Sequence, residues 1–312
     1  MKNNLKIINM QVKNLFCRIG YLKNWYSLYL VYFNIKKKAV ILFKNSITVK
    51  ISNKDIKNFF FVEQIYLLKN KDPKINKLLY QIKDVLNTNK KNFIIKYDKF
   101  WNIQRDYMLD NLHDVFQKYS EPQTYSCFNE LKGKLFVNIG ANCGGYAIRC
   151  DKFSKVIAIE PNPKVVTILK ENKRINKINN LKIINKAVWN KKQRMSLYEA
   201  KSYSGIIGGS STLLPENMSN NIYQKKYYVM ADTLDNILGN INKIDLLLID
   251  AENAEVEILN GAVQVLKKTK NIIIEVRDNT EEQIKKILID NKFKLKTLDI
   301  SEDSKNIYGK NY

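Results

Sequence analysis

The chain has 312 residues, 45% of them hydrophobic, and its formal net charge at pH 7 is +23. This composition excludes a disordered tail, and the longest apolar runs are far shorter than the roughly 20 residues that a membrane-spanning helix needs. No signal-peptide pattern opens the chain, so we expect a soluble, cytoplasmic protein of two domains.

Residues 1–130 predict a small mixed α+β region whose role the sequence does not define. The hairpin in this region is predicted because two β-rich runs flank the polar segment Lys44–Ser46. In chain order we expect a helix, the hairpin, two helices, a strand and a last helix, over Asn14–Asn34, Lys38–Ile51, Asp55–Leu68, Ile75–Leu86, Phe93–Tyr97 and Met108–Tyr119.

In residues 131–312, strand-like apolar runs alternate with helical patterns, which is the rhythm of βα units. Runs that are almost continuous in Ile, Leu and Val predict buried parallel strands at Leu135–Ile139, Val156–Ile159, Leu181–Ile184, Ile244–Ile249 and Ile272–Val276. Helical periodicity is present in Tyr146–Phe153, Pro163–Asn176, Ala254–Lys268 and Thr280–Asn291. Two further segments, Phe293–Leu298 and Asn306–Tyr308, predict a closing hairpin. We therefore expect an α/β domain with an open, doubly wound, mostly parallel sheet that ends in an antiparallel hairpin.

The positive charge by itself would indicate a nucleic-acid or anionic-membrane partner. Lysine, however, accounts for 47 of the 53 basic residues, and the lysines are scattered singly along both halves of the chain. Arginine is the residue that supplies bidentate phosphate contacts. A nucleic-acid acceptor is therefore an open alternative that the sequence does not favour.

Cysteine and histidine usage gives no support for a metal site. The cysteines Cys17, Cys127, Cys143 and Cys150 form no C-x-x-C pair, and His113 is the single histidine. A structural zinc site needs four such ligands at characteristic spacings. We expect reduced thiols and no metal, and we interpret His113 as a structural or surface residue.

The sharpest motif is a glycine turn that follows the first strand of the second domain, in the run Phe136–Gly145. Glycine there lets the backbone approach a ligand closely. Glu160 ends the next strand 20 residues after Gly140, a spacing at which a carboxylate accepts hydrogen bonds from the ribose of a bound nucleoside. The turn lacks the third glycine of the dinucleotide pattern, and no triphosphate-binding lysine motif is present. We therefore predict a site for a nucleoside ligand without a pyrophosphate.

Ordered stretches between residues 135 and 275 resemble the FkbM family of S-adenosylmethionine-dependent methyltransferases. The stretches are Leu135–Asn142, Ile157–Pro163, Thr233–Asp235, Ile244–Glu255 with Leu259–Ala262, and Ile273–Glu275. The resemblance implies a class I methyltransferase fold of the Rossmann-like type, with S-adenosylmethionine as cofactor. It also implies methylation of a hydroxyl on a sugar, a glycan or another small metabolite.

The resemblance implies a set of cofactor-binding residues at the carboxyl ends of the strands, where open α/β sheets bind their ligands. The glycine turn would hold the methionine portion, Glu160 the ribose, and Asn185–Val188 the adenine. The full set is Asn138, Gly140, Ala141, Asn142, Gly144, Glu160, Pro161, Asn162, Asn185, Ala187 and Asp250.

Three carboxylates are candidates for taking the proton of an acceptor hydroxyl: Asp250, Glu252 and Glu275. Asp250 ranks first, although aspartate is also a favoured helix N-cap. We expect Glu255 and Glu257 to lie on or near a solvated helix face. In-line positioning of acceptor and methyl group should supply most of the rate acceleration.

The chain departs from the family pattern at Asn138, where aspartate is usual, at Leu248, where lysine is usual, and at Asn253, where glycine is usual. Loss of the lysine removes a cation beside Asp250, so a non-catalytic S-adenosylmethionine-binding or interaction protein is one alternative. An RNA methyltransferase is another, and a nicotinamide-dependent dehydrogenase is disfavoured by the incomplete pyrophosphate turn. The Gly- and Ser-rich segment Ser202–Thr212 predicts either a loop over the acceptor or a plain connection.

Overall fold

The computed structural model of the chain describes residues 21–32, 35–44, 48–52, 62–63, 65–68, 72–86, 92–104, 113–201, 207–214, 222–300 and 304–312. The chain divides into two compact units, Met1–Tyr97 and Asp98–Tyr312. No helix within these described ranges combines the length and the apolar character that crossing a membrane requires.

The first unit contains short helices and strands, as predicted. Helix α1 spans Trp25–Tyr32, the antiparallel strands β1 and β2 span Lys38–Leu42 and Thr48–Ser52, helix α2 spans Pro73–Leu86, and strand β3 spans Asn92–Lys96. Buried Ile75, Leu78 and Ile82 lie on one face of α2, the spacing of a helix that packs one side on a core. The hairpin, the helix at Ile75–Leu86 and the strand at Phe93–Tyr97 are therefore confirmed.

Other predictions for the first half are tested only in part. Residues 14–20 and 33–34 of the first predicted helix, most of the helix at Asp55–Leu68, and residues 108–112 of the last one lie outside the described residues. Within the described part of the first predicted helix, α1 begins only at Trp25, so this part is shorter than predicted.

The second unit contains the remaining elements. Its strands are β4 (Phe100–Gln104), β5 (Gly133–Ile139), β6 (Phe153–Ile159), β7 (Leu181–Ile184), β8 (Ala187–Val188), β9 (Gln193–Lys201), β10 (Ile207–Thr212), β11 (Ile222–Asp232), β12 (Leu246–Ile249), β13 (Asn271–Val276), β14 (Lys294–Ile300) and β15 (Lys305–Lys310). Its helices are α3 (Gln117–Ser120), α4 (Pro122–Glu130), α5 (Pro163–Ile175), α6 (Leu234–Leu238), α7 (Glu255–Asn260), α8 (Val263–Lys267) and α9 (Glu281–Asp290).

A seven-stranded sheet in the order β14-β15-β13-β12-β5-β6-β7 forms the centre of this unit. Strand β15 runs antiparallel to both neighbours, and the other described pairs from β13 to β7 are parallel. Consecutive residues such as Leu246 and Leu247 are both fully buried, because both faces of the sheet are covered. The predicted doubly wound sheet with its terminal hairpin is confirmed. The chain reverses its direction of strand addition between β5 and β12, which is where such sheets bind ligands.

Local signals place the helices on this sheet. Asn162 caps α5 by accepting a hydrogen bond from the backbone N–H of Lys164 at 3.0 Å, and Pro163 occupies the first turn. Thr233 caps α6 in the same way through Asn236 N–H at 3.1 Å. The Asn162 cap and Pro163 explain why α5 begins at the predicted residue.

Two predicted helices are corrected by the structure. The segment Tyr146–Phe153 contains only a three-residue 3₁₀ turn, Ala147–Arg149, before β6 begins. The segment Ala254–Lys268 is split into α7 and α8 at Gly261. A Cβ atom at Gly261 would lie 2.3 Å from the carbonyl oxygen of Trp189, so close backbone packing requires glycine at the break.

A second sheet in the order β10-β9-β11-β8 packs against the first through buried residues that include Leu197, Val229 and Ala231. The Gly- and Ser-rich segment that we predict as a loop or a connection is strand β10 over residues 207–212, whereas residues 202–206 lie outside the described residues. The glycine-rich sequence of β10 does not by itself predict a strand. Antiparallel pairing with β9 holds β10 in the sheet.

The described residues between 98 and 130 pack within the second unit, and Arg149 makes many of the connections. Its guanidinium donates hydrogen bonds to the carbonyl oxygens of Asp114, Gly145 and Val115 at 2.6–2.7 Å and pairs with Asp98. The predicted boundary at residue 130 stays a prediction about domain organisation.

Candidate functional site

A cleft opens beyond the carboxyl ends of β5 and β12, at the point where the strand order reverses. Apolar side chains from both sheets, from the residue after β10 and from α7 form its walls, among them Ile139, Val188, Leu197, Leu213 and Ile258. The cleft is also lined by seven residues that the sequence analysis names, Gly140, Asn142, Glu160, Pro161, Ala187, Asp250 and Glu252. An apolar pocket with a few convergent polar groups is the usual form of a small-molecule site.

The glycine turn is held tightly against the end of β12. Gly140 has a φ angle of +70°, and its N–H donates a hydrogen bond to the carbonyl oxygen of Ile159 at 3.0 Å. A Cβ atom at this position would lie 1.6 Å from the carbonyl oxygen of Asp250. Glycine is therefore required both by the backbone conformation and by the approach of the neighbouring strand.

Glu160 lies at the end of β6, buried, with its carboxylate at the cleft. Its two oxygens accept hydrogen bonds from the backbone N–H groups of Asn142 at 3.0 Å and Asn162 at 2.8 Å. Burial raises the pKa of Glu160 to about 7, although both N–H groups act in the opposite direction. Each oxygen retains a lone pair for a further donor, so this carboxylate can accept hydrogen bonds from a diol.

Several predicted cofactor residues support the cleft without lining it. The side chain of Asn162 caps α5 and also donates to Ser211 Oγ at 3.0 Å. Asn185 donates to the carbonyl oxygens of Glu160 and Pro161, both at 2.9 Å. These contacts hold the ends of β6 and β7 in place.

The remaining predicted residues lie within or behind the turn. Ala141 is buried, and its N–H donates to Ile159 O at 3.1 Å. A Cβ atom at Gly144 would lie 2.6 Å from side-chain atoms of both Ile148 and Leu169, so this glycine allows α5 to pack closely. Asn138 is buried in β5, and Glu275, near the end of β13, is close to Arg277.

Carboxylates concentrate around the end of β12. Burial and the negative charges of Glu275 and Glu252 raise the pKa of Asp250 well above its usual range. Arg277 Nη2 lies 2.8 Å from Glu252 Oε2 and 3.9 Å from Glu275 Oε2. Although burial opposes it, these carboxylates raise the pKa of Arg277 above its ordinary value. The cleft edge is therefore acidic in a chain of strongly positive net charge.

Glu255 corrects the sequence analysis, which expects it on or near a solvated face. It is buried, and its Oε1 accepts a hydrogen bond from Ala251 N–H at 2.9 Å. Burial raises the pKa of Glu255 to about 7. The buried carboxylate thus stabilises the backbone turn that follows Asp250.

A model of the methyltransferase FkbM domain matches residues 135–298, which is more than half of the chain. The chain belongs to the FkbM methyltransferase family. Together with the sheet order, this membership identifies the second unit as a class I methyltransferase fold. No curated protein matches the sequence.

Solved structures similar to this FkbM-family chain include two methyltransferases and one protein solved with AdoMet. Methyltransferase FkbM from Methylobacillus flagellatus KT is 13% identical with a TM-score of 0.40, and the match covers 82% of this chain and 60% of that one. Precorrin-6y C5,15-methyltransferase from Geobacter metallireducens GS-15 is 12% identical with a TM-score of 0.38, over 60% and 87%. TYW2 of M. jannaschii, solved in complex with AdoMet, is 12% identical with a TM-score of 0.39, over 72% and 87%.

Two departures from the FkbM family pattern are cross-strand neighbours. Asn138 of β5 and Leu248 of β12 are paired in register, and both side chains are buried. Neighbouring residues in register point to the same side of a sheet. The usual aspartate and lysine are thus both replaced by neutral residues, so neither change leaves a buried charge without its counterion.

The third departure, Asn253, has a φ angle of +77°. This is the left-handed region, which glycine adopts freely and asparagine tolerates better than most residues. The amide atoms of Asn253 and of Asn138 are buried, and no hydrogen-bond partner for them lies in the described part of the chain. Asn253 therefore adopts a conformation that suits glycine, and two buried amides lack a partner among the described residues.

The segment before the matched domain also reaches the carboxylate cluster. Glu121 Oε2 accepts a hydrogen bond from Tyr146 Oη at 2.8 Å, and Glu121 Oε1 lies 3.3 Å from His113 Nε2. Burial, followed by the charge of Glu121, raises the pKa of Tyr146 well above its usual range, and Asp250 contributes to the same shift. Among the described residues, no group of three or more His, Cys, Asp or Glu side chains is arranged to hold a metal ion.

Sequence reasoning missed several residues of the site. Lys186 lines the cleft within the stretch assigned to adenine, so its position alone could have identified it. Leu197 of β9 and Leu213, which follows β10, have no local motif that marks them, whereas Ser211 lies in the Gly- and Ser-rich segment that the sequence analysis names. Packing of the preceding helices brings Glu121 to Tyr146 and His113 to Glu121, and the sequence carries no signal for it.

Replacing Arg277 by glutamine should destabilise the protein more at pH 8 than at pH 5, by roughly 1–3 kcal/mol at the higher pH. At pH 8 Glu255, whose pKa is about 7, is ionised and adds to the negative charge that acts on Arg277, whereas at pH 5 it is protonated. Thermal unfolding of both proteins at the two pH values measures the difference. Lys285→Gln, which removes an exposed ion pair with Glu281, is the control, and an equal effect of both changes at pH 8 would contradict the expectation.

Proposed function

We propose that this FkbM-family protein is an S-adenosylmethionine-dependent methyltransferase. The observation that carries the proposal is the buried carboxylate of Glu160, which faces the cleft 20 residues after Gly140. Both of its oxygens are fixed by backbone N–H groups and can accept further hydrogen bonds from a pair of vicinal hydroxyls. A ribose that carries free 2′- and 3′-hydroxyls has this chemistry.

The rest of the cleft fits the same cofactor. The apolar wall that includes Val188 and Ile258 suits an adenine ring. Asp250 and Glu252 also line the cleft, and negative charge there favours a sulfonium and an ammonium group over a pyrophosphate. We therefore assign the glycine turn and Asp250 to the methionine portion, Glu160 to the ribose, and the Asn185–Val188 stretch to the adenine.

We propose a hydroxyl on a sugar, a glycan or another small metabolite as the acceptor. The cofactor supplies an electrophilic methyl group with a good leaving group, so the protein must chiefly align the acceptor. A hydroxyl must also lose its proton, and Asp250 is the best candidate base. Its raised pKa makes it a stronger proton acceptor than an ordinary carboxylate, whereas Arg277 pairs with Glu252 and lies close to Glu275.

We also propose that residues 131–312 carry cofactor binding and that residues 1–130 have a separate role. Within the second unit, the contact of Glu121 with Tyr146 places part of the preceding segment beside the carboxylates. This position suits a role of the preceding segment in binding the acceptor. The residues that we assign to the cofactor all lie within 131–312.

Calorimetric titration of the full chain with S-adenosylmethionine tests the cofactor assignment. We expect micromolar binding, weaker binding of the uncharged-sulfur product S-adenosylhomocysteine because the acidic side of the cleft favours the sulfonium, and no measurable binding of NAD. Absence of S-adenosylmethionine binding by the folded chain would refute the proposal.

Transfer of a labelled methyl group to glycan, lipid, RNA and small-metabolite fractions tests the acceptor class. We expect label in sugar or metabolite fractions that survives mild alkali, because methyl ethers resist the hydrolysis that removes methyl esters. Label confined to RNA would support the RNA-methyltransferase alternative. Tight cofactor binding with no transfer to any fraction would support a non-catalytic binding protein.

A further inference from the structure

The antiparallel strands β9 and β11 place one face on the protein core and the other in solvent. Leu197 and Val229 are buried on the inner face, and Leu197 lines the cleft. On the opposite face, Tyr228 is 63% exposed and Met230 is 50% exposed. The alternation of side chains along a strand defines an outer platform made of Arg194, Tyr198, Lys226, Tyr228 and Met230.

Cations and aromatic rings alternate across this outer platform. The Arg194 guanidinium carbon lies 4.3 Å from the ring centroid of Tyr228. Lys226 Nζ lies 5.4 Å from the Tyr228 centroid and 5.6 Å from the Tyr198 centroid. The register agrees, because Lys226 is paired with Tyr198 and Met230 with Arg194. These distances are within the range of cation–π contacts, so the rings and charges form one ordered surface.

The two described carboxylates of β9 and β11 do not neutralise this surface. Glu199 is buried and accepts a hydrogen bond from Asn162 at 3.1 Å. Asp232, at the end of β11, lies 3.4 Å from Lys186 and also accepts a hydrogen bond from Asn236 at 3.0 Å. The outer platform itself therefore has a net positive charge and includes one of the six arginines of the chain.

The charges and rings of the outer platform favour some binding partners over others. A second copy of this chain would bring like charges together, because each copy carries +23. A neutral glycan offers no charge to match Arg194 and Lys226. An unpaired nucleic-acid strand offers both bases that stack on tyrosine and arginine planes and phosphates that pair with the cations. A duplex keeps its bases stacked inside, so the tyrosines would have no partner there.

We propose that the outer platform binds single-stranded RNA. The surface lies on the opposite side of β9 and β11 from the cleft wall, so this inference does not rest on the proposed function. Binding is independent of the cofactor, and it uses Tyr228 for stacking and Arg194 and Lys226 for phosphate contacts.

Fluorescence anisotropy with a labelled single-stranded RNA 12-mer, measured on the full chain without cofactor, tests the proposal. The triple variant Arg194→Gln, Lys226→Gln, Tyr228→Ala should bind about tenfold or more weakly than the native chain. The slope of log K against log salt should also become shallower by about 1.4, since two phosphate contacts are lost at roughly 0.7 each.

A matched control lies at the end of β14 and β15. Lys294 and Lys310 have Nζ atoms 4.7 and 4.6 Å from the ring centroid of Tyr312, which is 83% exposed. The variant Lys294→Gln, Lys310→Gln, Tyr312→Ala removes the same charges and one ring, and it should weaken RNA binding by less than about threefold. Thermal melts establish that both variants are folded, and Lys226→Gln alone replaces the triple variant if that protein does not fold.

Equal losses of RNA affinity in the platform and control variants would overturn the proposal, because they would show that the RNA responds to the overall charge of the protein and not to the outer platform. Undetectable RNA binding by the native chain, or tighter binding to a duplex of equal length, would also overturn it. Preferential binding to vesicles containing phosphatidylserine would assign the surface to a membrane instead. Cofactor titration of the same samples reports separately on the cleft.

Discussion

Replacement of Gly140 by alanine is expected to lower the free energy of unfolding by about 3–4 kcal/mol. The added Cβ atom must occupy a left-handed conformation with φ near +70° and would overlap the carbonyl oxygen of Asp250, 1.6 Å away. That oxygen belongs to the backbone at the end of β12, so it cannot move as a flexible side chain can. Urea unfolding followed by circular dichroism measures the loss, and any folded fraction should fail to bind S-adenosylmethionine.

Gly239 supplies the control for backbone strain alone. It also has a positive φ angle, +53°, but a Cβ atom there would have no neighbour within 4 Å. Gly239→Ala should therefore cost about 1–3 kcal/mol, the strain of an alanine at φ +53° and ψ −121°, and less than Gly140→Ala. Equal destabilisation by the two substitutions would show that the turn is not confined by β12, and the assignment of Gly140 to the cofactor site would lose its structural basis.

Glu160→Gln is expected to weaken S-adenosylmethionine binding by about 30-fold or more at pH 8. Glutamine keeps one acceptor oxygen but replaces the other with an amide nitrogen, which cannot accept a hydrogen bond from a ribose hydroxyl. Isothermal titration calorimetry measures the affinity. Glu282→Gln is the control because its side chain is 91% exposed, and it should bind the cofactor as the native chain does.

The pH dependence gives a sharper signature of Glu160. Because burial raises its pKa to about 7 in the folded chain, its contribution to stability is complete below its usual pKa and is lost as pH rises through about 7. A bound diol donates to the ionised form, so binding releases a proton and affinity should increase from pH 6 to pH 8. Glu255 and Asp250 also have raised pKa values, so the variant should retain part of this dependence.

Stability measurements separate lost binding from misfolding. Without cofactor, Glu160→Gln should be less stable than the native chain at pH 5, where a protonated carboxyl is replaced and one backbone N–H loses its acceptor. At pH 8 the difference should shrink or reverse, because the native chain then buries a charge that the variant lacks. A difference that does not change with pH would contradict the raised pKa and the role that depends on it.

The sequence predicts the parallel sheet well and the second sheet poorly. Strand β12 contains only Leu and Ile, and the later parts of β5 and β6, Leu135–Ile139 and Val156–Ile159, are almost entirely apolar because both faces are covered, and that composition is visible in one dimension. Strands β9 and β11 instead mix lysine, tyrosine and serine, since one face is in solvent. Strand β10 is identified only by its pairing with β9, as its glycines carry no strand signal.

The candidate site shows the same contrast. Gly140 and Glu160 follow from a motif and a spacing, because backbone conformation and strand position constrain them locally. The burial of Glu255 and the neutral pair of Asn138 with Leu248 depend on which elements meet in space. Helical periodicity cannot show that Glu255, the first residue of α7, accepts a hydrogen bond from the backbone N–H of Ala251.

By itself, the amino-acid sequence determines the α/β class and membership of the FkbM family and predicts which strand ends bind a nucleoside, because these depend on hydrophobic pattern and short-range spacing. The tertiary structure decides the apolar wall of the cleft, the contact of Glu121 with Tyr146, and the exposed alignment of cations and rings on β9 and β11. Those features join residues far apart in the chain, and their geometry is fixed only when the sheets and helices pack together.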